Sequence, residues 1–445
     1  MSADTIYALS SGAGMAGVAV IRLSGPAAGT TLAALCGPLP GPRRAVLRTV
    51  RDPASGEAID RGLVLWFPAP SSFTGEDMAE LQVHGSRAVI ADLFDLLARR
   101  DGLRLAEPGE FTRRAWHNGR MDLTAAEGLA DLIAADTTAQ RRQALRQADG
   151  ELASIYAGWR ERLLRVLAHM EAWLDFPDED LPPETRSGLV ADLVSLRDDV
   201  AAHLSDARRG ERLRDGYTVA IVGPPNAGKS SLLNALARRD VAIVAATPGT
   251  TRDVLEVHLD LDGWPLVLLD TAGLRETDDA VEREGTRRAL DRATRADLVL
   301  ELRPADASAS HPGPTLPDSV DRLLVRSKSD LPVTQDDPYL VSSDVITLSV
   351  LTGEGLETLL RTLAGRAAEA MQSGGNVLPT RLRHREGLAQ CLAVIDRALA
   401  LPDDGPPELM AEDLRMALRT LGRITGTVDV EDLLDVIFRD FCIGK

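Results

Sequence analysis

The sequence predicts a multidomain protein with an α+β N-terminal domain, an all-α helical domain and an α/β domain inserted into the helical one. Its 445 residues correspond to about three domains of roughly 150 residues each. Apolar residues make up 44% of the chain and charged residues 26%, which is typical of globular domains with ample core. Beyond the first quarter, helical segments flank a stretch in which strands and helices alternate, the pattern of a parallel sheet.

The first predicted domain covers residues 1–118 and mixes strands with helices. An amphipathic pattern predicts a helix over 88–99. Short apolar runs predict strands at 7–9, 18–23, 63–67 and 80–83.

Two separate segments form the predicted helical domain, residues 119–210 and 371–445. Helical spacing is clear at Leu129, Leu132 and Ile133. The last 75 residues have the same texture but are too few to build a core alone. The economical interpretation is therefore one helical domain, interrupted by residues 211–370.

Charge and cysteine content limit the classes of function. The net charge of −17 argues against binding to nucleic acid by bulk charge alone, although a local basic site stays possible. Three cysteines far apart in sequence fit a reducing compartment. The sequence has no signal-peptide pattern and no apolar run of membrane-spanning length, so we expect a cytoplasmic protein that does not bind membranes.

The inserted domain carries a phosphate-binding motif. Residues 217–222 form a predicted strand, followed by the sequence GPPNAGKS at 223–230 and then by a helix. This is the G-x-x-x-x-G-K-S pattern in its required strand–loop–helix context. Its backbone N–H groups surround phosphate oxygens, Lys229 reaches the β- and γ-phosphates, and Ser230 ligates Mg²⁺.

Further motifs follow in the order and at the spacing of a GTPase. An apolar strand ends in Asp270-Thr271-Ala272-Gly273, where the Asp holds Mg²⁺ and the Gly senses a γ-phosphate. Thr250 and Thr251 lie in a loop between the two motifs. The segment 326–330 is close to the guanine motif N-K-x-D, with Lys328 along the base and Asp330 accepting from it. The inserted domain is thus predicted to be an α/β P-loop GTPase domain.

Two of the chain's three lysines, Lys229 and Lys328, fall within these motifs. Ser327 stands where the guanine motif has Asn, and loses an amide. Ser349 lies where a second purine-contacting loop is usual. The predicted GTP-binding residues are Asn226, Ala227, Gly228, Lys229, Ser230, Ser231, Thr247, Thr250, Thr251, Asp270, Thr271, Ala272, Gly273, Lys328, Asp330 and Ser349.

The group that orients the attacking water is not fixed by the motifs. Leu274 occupies the place where Ras-like enzymes have a Gln, and a leucine cannot polarise water. The charged residues near this place are Arg252, Arg275, Glu276 and Glu282. For each of them taken singly, a solvated loop charge is the better explanation.

Together the motifs resemble one family along the whole chain, the tRNA modification GTPases of the MnmE (TrmE) type. Two other classes stay open on the residues alone, a ribosome-assembly GTPase of the Era or Der kind and a signalling switch without chemistry. The motifs that carry the resemblance to the MnmE family are SFTGED (72–77), PGEFTRRA (108–115), NGRMDL (118–123), DFPDED (175–180), GPPNAGKSSLLNAL (223–236), PGTTRDV (248–254), DTAGLRET (270–277) and FCIGK (441–445).

The resemblance implies an enzyme that works with an FAD-binding partner of the MnmG type in a heterotetramer. The pair attaches an aminomethyl or carboxymethylaminomethyl group to carbon 5 of the wobble uridine of certain tRNAs. The family's N-terminal domain forms a homodimer and binds 5-formyltetrahydrofolate or a related one-carbon folate. Its GTPase activity is stimulated by potassium and depends on Mg²⁺.

The resemblance also assigns residues. It implies Glu282 and Cys442 as catalytic, and Ser230 with Thr251 as the magnesium ligands. The folate-binding residues that it implies are Arg22, Glu80, Arg120 and Lys445. The potassium ligands that it implies are Asn226, Ala245, Thr247 and Thr250.

Overall fold

The computed structural model describes residues 4–12, 14–175, 183–243, 256–270, 292–305, 317, 319–332, 345–402, 406–428, 434, 437–438, 441 and 444. The chain forms two compact units. The first consists of Met1–Ala130, Gln147–Leu164 and Leu418–Lys445. The second consists of Asp131–Arg146 and Arg165–Ala417.

The first unit contains a six-stranded sheet in the order β3-β4-β5-β2-β1-β6. Neighbouring strands are antiparallel except β1 and β6, which are parallel. Alternate residues of β5, namely Ala79, Leu81 and Val83, are buried, as the period-2 pleat requires of a sheet with one covered face. The strands are β1 (Thr5–Leu9), β2 (Ala16–Ser24), β3 (Val46–Arg51), β4 (Ala58–Phe67), β5 (Met78–Gly85) and β6 (Leu103–Leu105).

The second unit contains another six-stranded sheet, in the order β12-β11-β10-β7-β9-β8. Its pairs are parallel except β8 and β9, which are antiparallel. The central strand β7 is almost continuously apolar and buried, since helices cover both faces of parallel sheets. The strands are β7 (Tyr217–Val222), β8 (Glu256–Leu261), β9 (Trp264–Asp270), β10 (Leu298–Pro304), β11 (Arg322–Ser327) and β12 (Ile346–Thr347).

Helices make up most of the remaining described chain. Those before the second sheet are α1 (Ala28–Cys36), α2 (Arg87–Ala98), α3 (Glu110–His117), α4 (Leu123–Ala134), α5 (Thr138–Ala148), α6 (Glu151–Asp175), α7 (Pro183–Ser205) and α8 (Ala207–Asp215). Those within or after it are α9 (Lys229–Ala237), α10 (Leu356–Met371), α11 (Leu382–Leu399) and α12 (Pro407–Thr425). No described helix is both long and apolar enough to cross a membrane.

The elements predicted from sequence are present, but the structure adds some that the sequence analysis did not predict. The helical stretch that begins at Leu123 is divided into α4, α5 and α6. Thr137 and Gln140 form a capping box that starts α5, because the Gln140 side chain accepts from the Thr137 N–H at 3.1 Å and the Gln140 N–H donates to the Thr137 hydroxyl at 3.4 Å. Gly150, at φ 88°, separates α5 from α6. In the first unit, the sequence analysis missed α1, α3, β3 and β6.

Candidate functional site

The phosphate loop connects β7 to α9 and depends on unusual backbone angles. Gly223 has a φ of 156°, and a Cβ there would lie 2.5 Å from the Leu302 carbonyl oxygen of β10. Asn226 has a φ of 61°, a left-handed conformation that Asn tolerates better than most residues. Gly228 precedes the first residue of α9 in the same conformation. These turns leave the N-terminal N–H groups of α9 facing the loop, as anion binding requires.

Lys229 is held within this loop. Its Nζ donates to the carbonyl oxygens of Gly223 and Pro224 at 2.9 and 3.0 Å. Burial lowers the pKa of Lys229, although the nearby Asp270 carboxylate acts in the opposite direction. The lysine is thus a partly desolvated cation, which strengthens its attraction for phosphate oxygens.

A pair of hard oxygen donors lies beside the loop. Asp270 ends β9 and is 1% exposed, and β9 pairs with β7 so that Ile221 is opposite Asp270. The Ser230 hydroxyl donates to Asp270 Oδ2 at 2.9 Å. A hydroxyl and a carboxylate at this edge suit Mg²⁺, which prefers oxygen ligands and keeps several waters.

The predicted base-binding end is built from the loops after β11 and β12. Ser327 is buried, and its hydroxyl donates to the Ala227 carbonyl oxygen of the phosphate loop at 2.7 Å. Lys328 follows with a φ of 58°. The hydroxyl of the buried Ser349 donates to Asp330 Oδ1 at 2.5 Å, which fixes the carboxylate in one orientation. The serine in the guanine motif therefore keeps a direct connection between the base end and the phosphate end.

We predict that Ser327→Ala weakens GTP binding about 5- to 10-fold, the usual net effect of one buried hydrogen bond. The Ala227 carbonyl loses its donor, and the two loops are no longer connected at this point. Equilibrium dissociation constants for GTP and GDP, measured with a fluorescent analogue, test this. Ser329→Ala is the matched control, since the Ser329 hydroxyl makes only an exposed 3.4 Å contact with Glu354. An unaltered dissociation constant in Ser327→Ala would contradict the prediction.

A second group of polar residues lies in the first unit, on the central strands of its sheet. Arg22 of β2 and Glu80 of β5 are directly opposite in register, and the guanidinium donates to Glu80 Oε1 at 3.0 and 3.1 Å. The Arg22 guanidinium also lies 5.6 Å from the Phe73 ring and 5.8 Å from the Phe111 ring. Phe111 is fully buried, but the carboxylate, the guanidinium and the partly exposed Phe73 ring together can hold a flat heterocycle with N–H donors.

An ion-pair network lies in the same compact unit. Arg114, whose side chain is 7% exposed, bonds Asp4, Glu76 and Glu110 at 3.0 to 3.1 Å. Burial raises the pKa of Glu110, but hydrogen bonds from Arg104, the Glu107 N–H and Arg114 outweigh it and hold the pKa below its usual value. The network fixes the 72–77 loop, because the Ser24 hydroxyl also bonds Glu76 at 2.8 Å.

The end of the chain packs in the same unit. Phe438 and Phe441 are buried with Leu123 and Ala126 of α4 in one apolar cluster. At Gly109, directly before α3, a Cβ would lie 2.7 Å from the Phe438 carbonyl oxygen and 3.0 Å from Phe441 Cβ. The close approach explains the glycine and joins the chain end to the helix that carries Phe111.

Comparison with known proteins assigns the family. The model of the GTP-binding protein TrmE N-terminus matches residues 5–120, and the model of the MnmE helical domain matches residues 123–442. The chain belongs to the MnmE family. It is 56% identical to the tRNA modification GTPase MnmE of Parvibaculum lavamentivorans, over 99% of this chain and 100% of that protein. It is 52% identical to the tRNA modification GTPase MnmE of Rhodospirillum rubrum, over the full length of both.

Solved structures give weaker likenesses. A variant of Aquifex aeolicus Era bound to GDP and aluminium fluoride is 24% identical, with a TM-score of 0.27 over 43% of this chain and 69% of that one. The G domain of the Thermotoga maritima FeoB iron transporter is 25% identical, with a TM-score of 0.23 over 35% of this chain and 98% of that one. Membership of the MnmE family rests on the sequence comparisons above.

The predicted MnmE site residues fall into two sets. The structure brings together Asn226, Ala227, Gly228, Lys229, Ser230, Ser231 and Asp270 at the phosphate loop, and Lys328, Asp330 and Ser349 at the base-binding end. It pairs Arg22 with Glu80, and a Cβ on Gly75 would lie 3.3 Å from Arg120 Cγ. Outside the described residues lie Ala245, Thr247, Thr250, Thr251, Thr271, Ala272, Gly273, Glu282, Cys442 and Lys445.

Sequence reasoning missed the contact from Ser327 to the phosphate loop, the aromatic neighbours of Arg22 and the role of Arg114. One signal was available for the aromatic pair. The chain has seven phenylalanines, and two of them, Phe73 and Phe111, stand in the MnmE motifs SFTGED and PGEFTRRA. Phe111 is fully buried in α3, whereas Phe73 is partly exposed, so of the two only Phe73 contributes surface beside Arg22.

Proposed function

We propose that this protein hydrolyses GTP and uses that cycle to drive modification of carbon 5 of the wobble uridine in certain tRNAs. An aminomethyl or carboxymethylaminomethyl group is added, together with an FAD-binding partner of the MnmG type. The observation that carries the proposal is the coexistence in one chain of two sites. A phosphate loop with a guanine-binding end lies in the second unit, and the Arg22–Glu80 group lies in the first.

The Arg22–Glu80 group supports a one-carbon folate such as 5-formyltetrahydrofolate as the second ligand. Glu80 can accept from pterin N–H groups, the partly exposed Phe73 offers apolar surface, and Arg120 and Lys445 can bind the folate's carboxylates. When bound, the folate supplies the one-carbon unit for the added group. The chain's own residues bind the ring and set its orientation.

The proposed architecture has three domains. Residues 1–118 form the folate-binding and dimerisation domain, residues 119–210 and 371–445 form the helical domain, and residues 211–370 form the inserted GTPase domain. The protein acts as a homodimer that joins its partner in a heterotetramer. Because its substrate is tRNA, we place it in the cytoplasm.

Nucleoside analysis of tRNA tests the function. In a strain from which the gene is deleted, mass spectrometry should show the loss of the modified wobble uridine, and the wild-type gene should restore it. Lys229→Ala should fail to restore it, because the phosphates lose their principal cation. Unchanged tRNA nucleosides together with accumulating ribosome precursors would instead support a ribosome-assembly GTPase of the Era or Der kind.

We further propose that potassium stimulates hydrolysis. A cation bound at the Asn226 side chain, the carbonyls of Ala245 and Thr247, and Thr250 would offset the negative charge that develops at the β–γ bridge. Asn226 is exposed in the phosphate loop, so its amide oxygen can reach such an ion. Glu282 then positions the attacking water, a task for which Leu274 is unsuited.

This mechanism predicts GTP turnover that is on the order of 10- to 100-fold faster in KCl than in NaCl at equal ionic strength. Asn226→Ala should abolish the difference between the salts. Glu282→Ala should slow turnover in both and leave the GTP dissociation constant unchanged. Phosphate-release kinetics provide the measurement, with Asn234→Ala on α9, outside the phosphate loop, as the control. Equal wild-type rates in the two salts would refute the mechanism.

A further inference from the structure

Helix α5 bonds both chain segments that lead into and out of the second sheet. The entry segment is the second half of α8, before β7, and the exit segment is residues 378–381, after α10. The Gln140 amide donates to the Arg214 carbonyl oxygen of the entry segment at 2.9 Å. In the exit segment, the Gln143 amide donates to the Leu378 carbonyl oxygen at 2.8 Å, and the Gln143 side-chain oxygen accepts from the Leu378 N–H at 3.3 Å. One helix therefore holds both segments.

An acidic residue of α4 connects the same two segments. The Asp131 side chain is 13% exposed, and its Oδ1 accepts from Arg214 Nε at 3.2 Å and from the Arg381 guanidinium at 2.6 Å. The entry and exit segments also pack directly, because a Cβ on Gly210 of α8 would lie 2.1 Å from the Pro379 carbonyl oxygen. The two segments form a joint with the three side chains that hold them, Asp131, Gln140 and Gln143.

A cavity of about 120 Å³ lies within the joint. Its lining combines Gln143 and Arg214 with small apolar side chains such as Ala134 of α4 and Ala144 of α5. Protein interiors are otherwise close-packed, and a packed interior resists displacement. The space beside these alanines therefore allows the segments to shift relative to α5.

The first turn of α5 also contacts the hairpin between β8 and β9. The Ala139 N–H donates to the Gly263 carbonyl oxygen at 3.0 Å, and a Cβ on Gly263 would lie 3.5 Å from Thr138 Cβ. Gly263 directly precedes β9, whose last residue is Asp270, the carboxylate that bonds Ser230 at the phosphate loop. Regular elements transmit displacement as rigid bodies. A shift of Asp270 on nucleotide binding therefore moves Gly263 and acts on α5.

We propose that Asp131, Gln140 and Gln143 are positioning residues, through which the nucleotide state at Asp270 sets the position of α5. The hairpin supplies the displacement, and the joint supplies the fixed points against which α5 responds. None of the three side chains lies in the phosphate loop or at its Ser230–Asp270 pair, so GTP hydrolysis itself does not require them.

Helix α5 also connects the joint to the first unit along the chain. Its last two residues, Gln147 and Ala148, belong to the unit that carries the Arg22–Glu80 group. The joint is therefore in a position to make tRNA modification depend on the bound nucleotide. This dependence rests on the proposed function, whereas the connection from β9 to α5 does not.

Gln143→Met in the full-length protein tests the joint. Methionine keeps the length of the side chain and favours a helix, but it removes both bonds to Leu378. Gln147→Met is the matched control on the same helix, because Gln147 is fully buried and its amide donates to the Thr124 carbonyl oxygen at 3.0 Å. Both variants lose buried hydrogen bonding and should lower the melting temperature, which separates an effect on the joint from an effect on stability.

Asp131→Asn provides a second variant of the joint, since it removes the charge that Arg214 and Arg381 share. Asp413→Asn is its control. The Asp413 side chain is 11% exposed and bonds Arg397 between α11 and α12. Each substitution thus removes one carboxylate charge from an ion pair of similar burial.

Hydrogen exchange of the Ala139 amide reports on the joint without any tRNA. N–H groups in the first turn of a helix have no acceptor within that helix, so the protection of this amide depends on Gly263. Mass spectrometry with electron-transfer fragmentation gives its exchange rate with GDP and with a non-hydrolysable GTP analogue bound. In the wild type we expect the two rates to differ about 5-fold, the effect of one hydrogen bond, because the joint prevents α5 from following the hairpin.

In Gln143→Met and Asp131→Asn, α5 is released from the joint and follows the hairpin, so the two exchange rates should become equal. Modified uridine should fall about 10-fold in both variants, while GTP turnover stays close to that of the wild type. Gln147→Met and Asp413→Asn should keep both the rate difference and the modification.

Equal exchange rates with the two nucleotides in the wild type, or a difference that persists in both joint variants, would overturn the coupling. A lost difference with undiminished modification would overturn the positioning role, as would an equal loss of modification in the two controls. If the wild-type protein turns over GTP but modifies no tRNA, the proposed function fails, while the exchange rates still decide whether β9 is coupled to α5.

Discussion

Asp330→Asn is expected to lower GTP affinity on the order of 10²- to 10³-fold and to create affinity for xanthosine triphosphate. The carboxylate accepts from guanine N1–H and from the 2-amino group, and hydrogen bonds to a charged group contribute about 1.5–3 kcal/mol each. An amide can present only one acceptor and one donor there. Xanthine carries a carbonyl in place of the 2-amino group, so the new donor finds a partner.

The structure indicates that Asp330→Asn changes the hydrogen-bonding groups that face the base and leaves the loop in place. The Ser349 hydroxyl donates to Asp330 Oδ1 at 2.5 Å, and an Asn oxygen at the same position keeps that bond. The base-binding loop therefore stays in place while only its hydrogen-bonding pattern changes. Asp330→Ala, in contrast, removes the Ser349 partner and should lose affinity for both nucleotides.

Dissociation constants for GTP and xanthosine triphosphate, measured side by side, check the expectation. Asp321→Asn is the matched control, because Asp321 precedes β11 at its opposite end and forms an exposed ion pair with Arg366. Retained GTP affinity in Asp330→Asn would show that this carboxylate does not contact the base.

The parts of the site that sequence predicted are those encoded locally. The phosphate loop follows from a strand, a glycine-containing turn and a helix within 20 residues, and each step has its own sequence signal. The order of the later motifs then identifies the strands that must end at the same sheet edge. Asp270 and Ser230 are found 2.9 Å apart for this reason.

The parts that sequence missed depend on contacts between distant segments. Ser327 bonds Ala227 across 100 residues, and Ser10 bonds Gly444 across 434. Ser10 does not stand out in any local pattern, and Ser327 stands out only as a departure from the guanine motif, because a serine hydroxyl can also bond to solvent. From the sequence alone, Ser327 indicates only that the Asn amide of the guanine motif is lost. In the structure, its hydroxyl connects two loops.

The Arg22–Glu80 group in the first unit was only partly predictable from the sequence. On physical grounds alone, the motifs around Phe73 and Phe111 indicate only polar loops. Arg22 and Glu80 were identified through the family resemblance. Strand register explains the pair, since β2 and β5 are neighbours only after the sheet forms in the order β5-β2-β1. Two other strands, β3 and β4, lie between β2 and β5 in the sequence. No local sequence pattern therefore predicts that β2 and β5 pair.

Cys442→Ser is expected to reduce the modified uridine roughly 10²-fold or more while GTP turnover stays within about 2-fold of the wild type. A thiol ionises near neutral pH when a cation is nearby, whereas a serine hydroxyl does not, so the substitution removes a nucleophile with little change in volume. Lys445 is such a cation, three positions along the chain.

The two activities should separate because their residues lie in different compact units. Phe441 and Gly444, on either side of Cys442, belong to the first unit, and the phosphate loop at 223–230 belongs to the second.

Mass spectrometry of tRNA nucleosides and phosphate release, measured on the same preparation, give the comparison. Cys391→Ala is the control, since Cys391 is fully buried in α11 and its Sγ lies 4.0 Å from the Ala417 carbonyl oxygen. It should lower the melting temperature and keep modification. Full modification in Cys442→Ser would mean that this thiol is not the nucleophile, which must then be sought elsewhere.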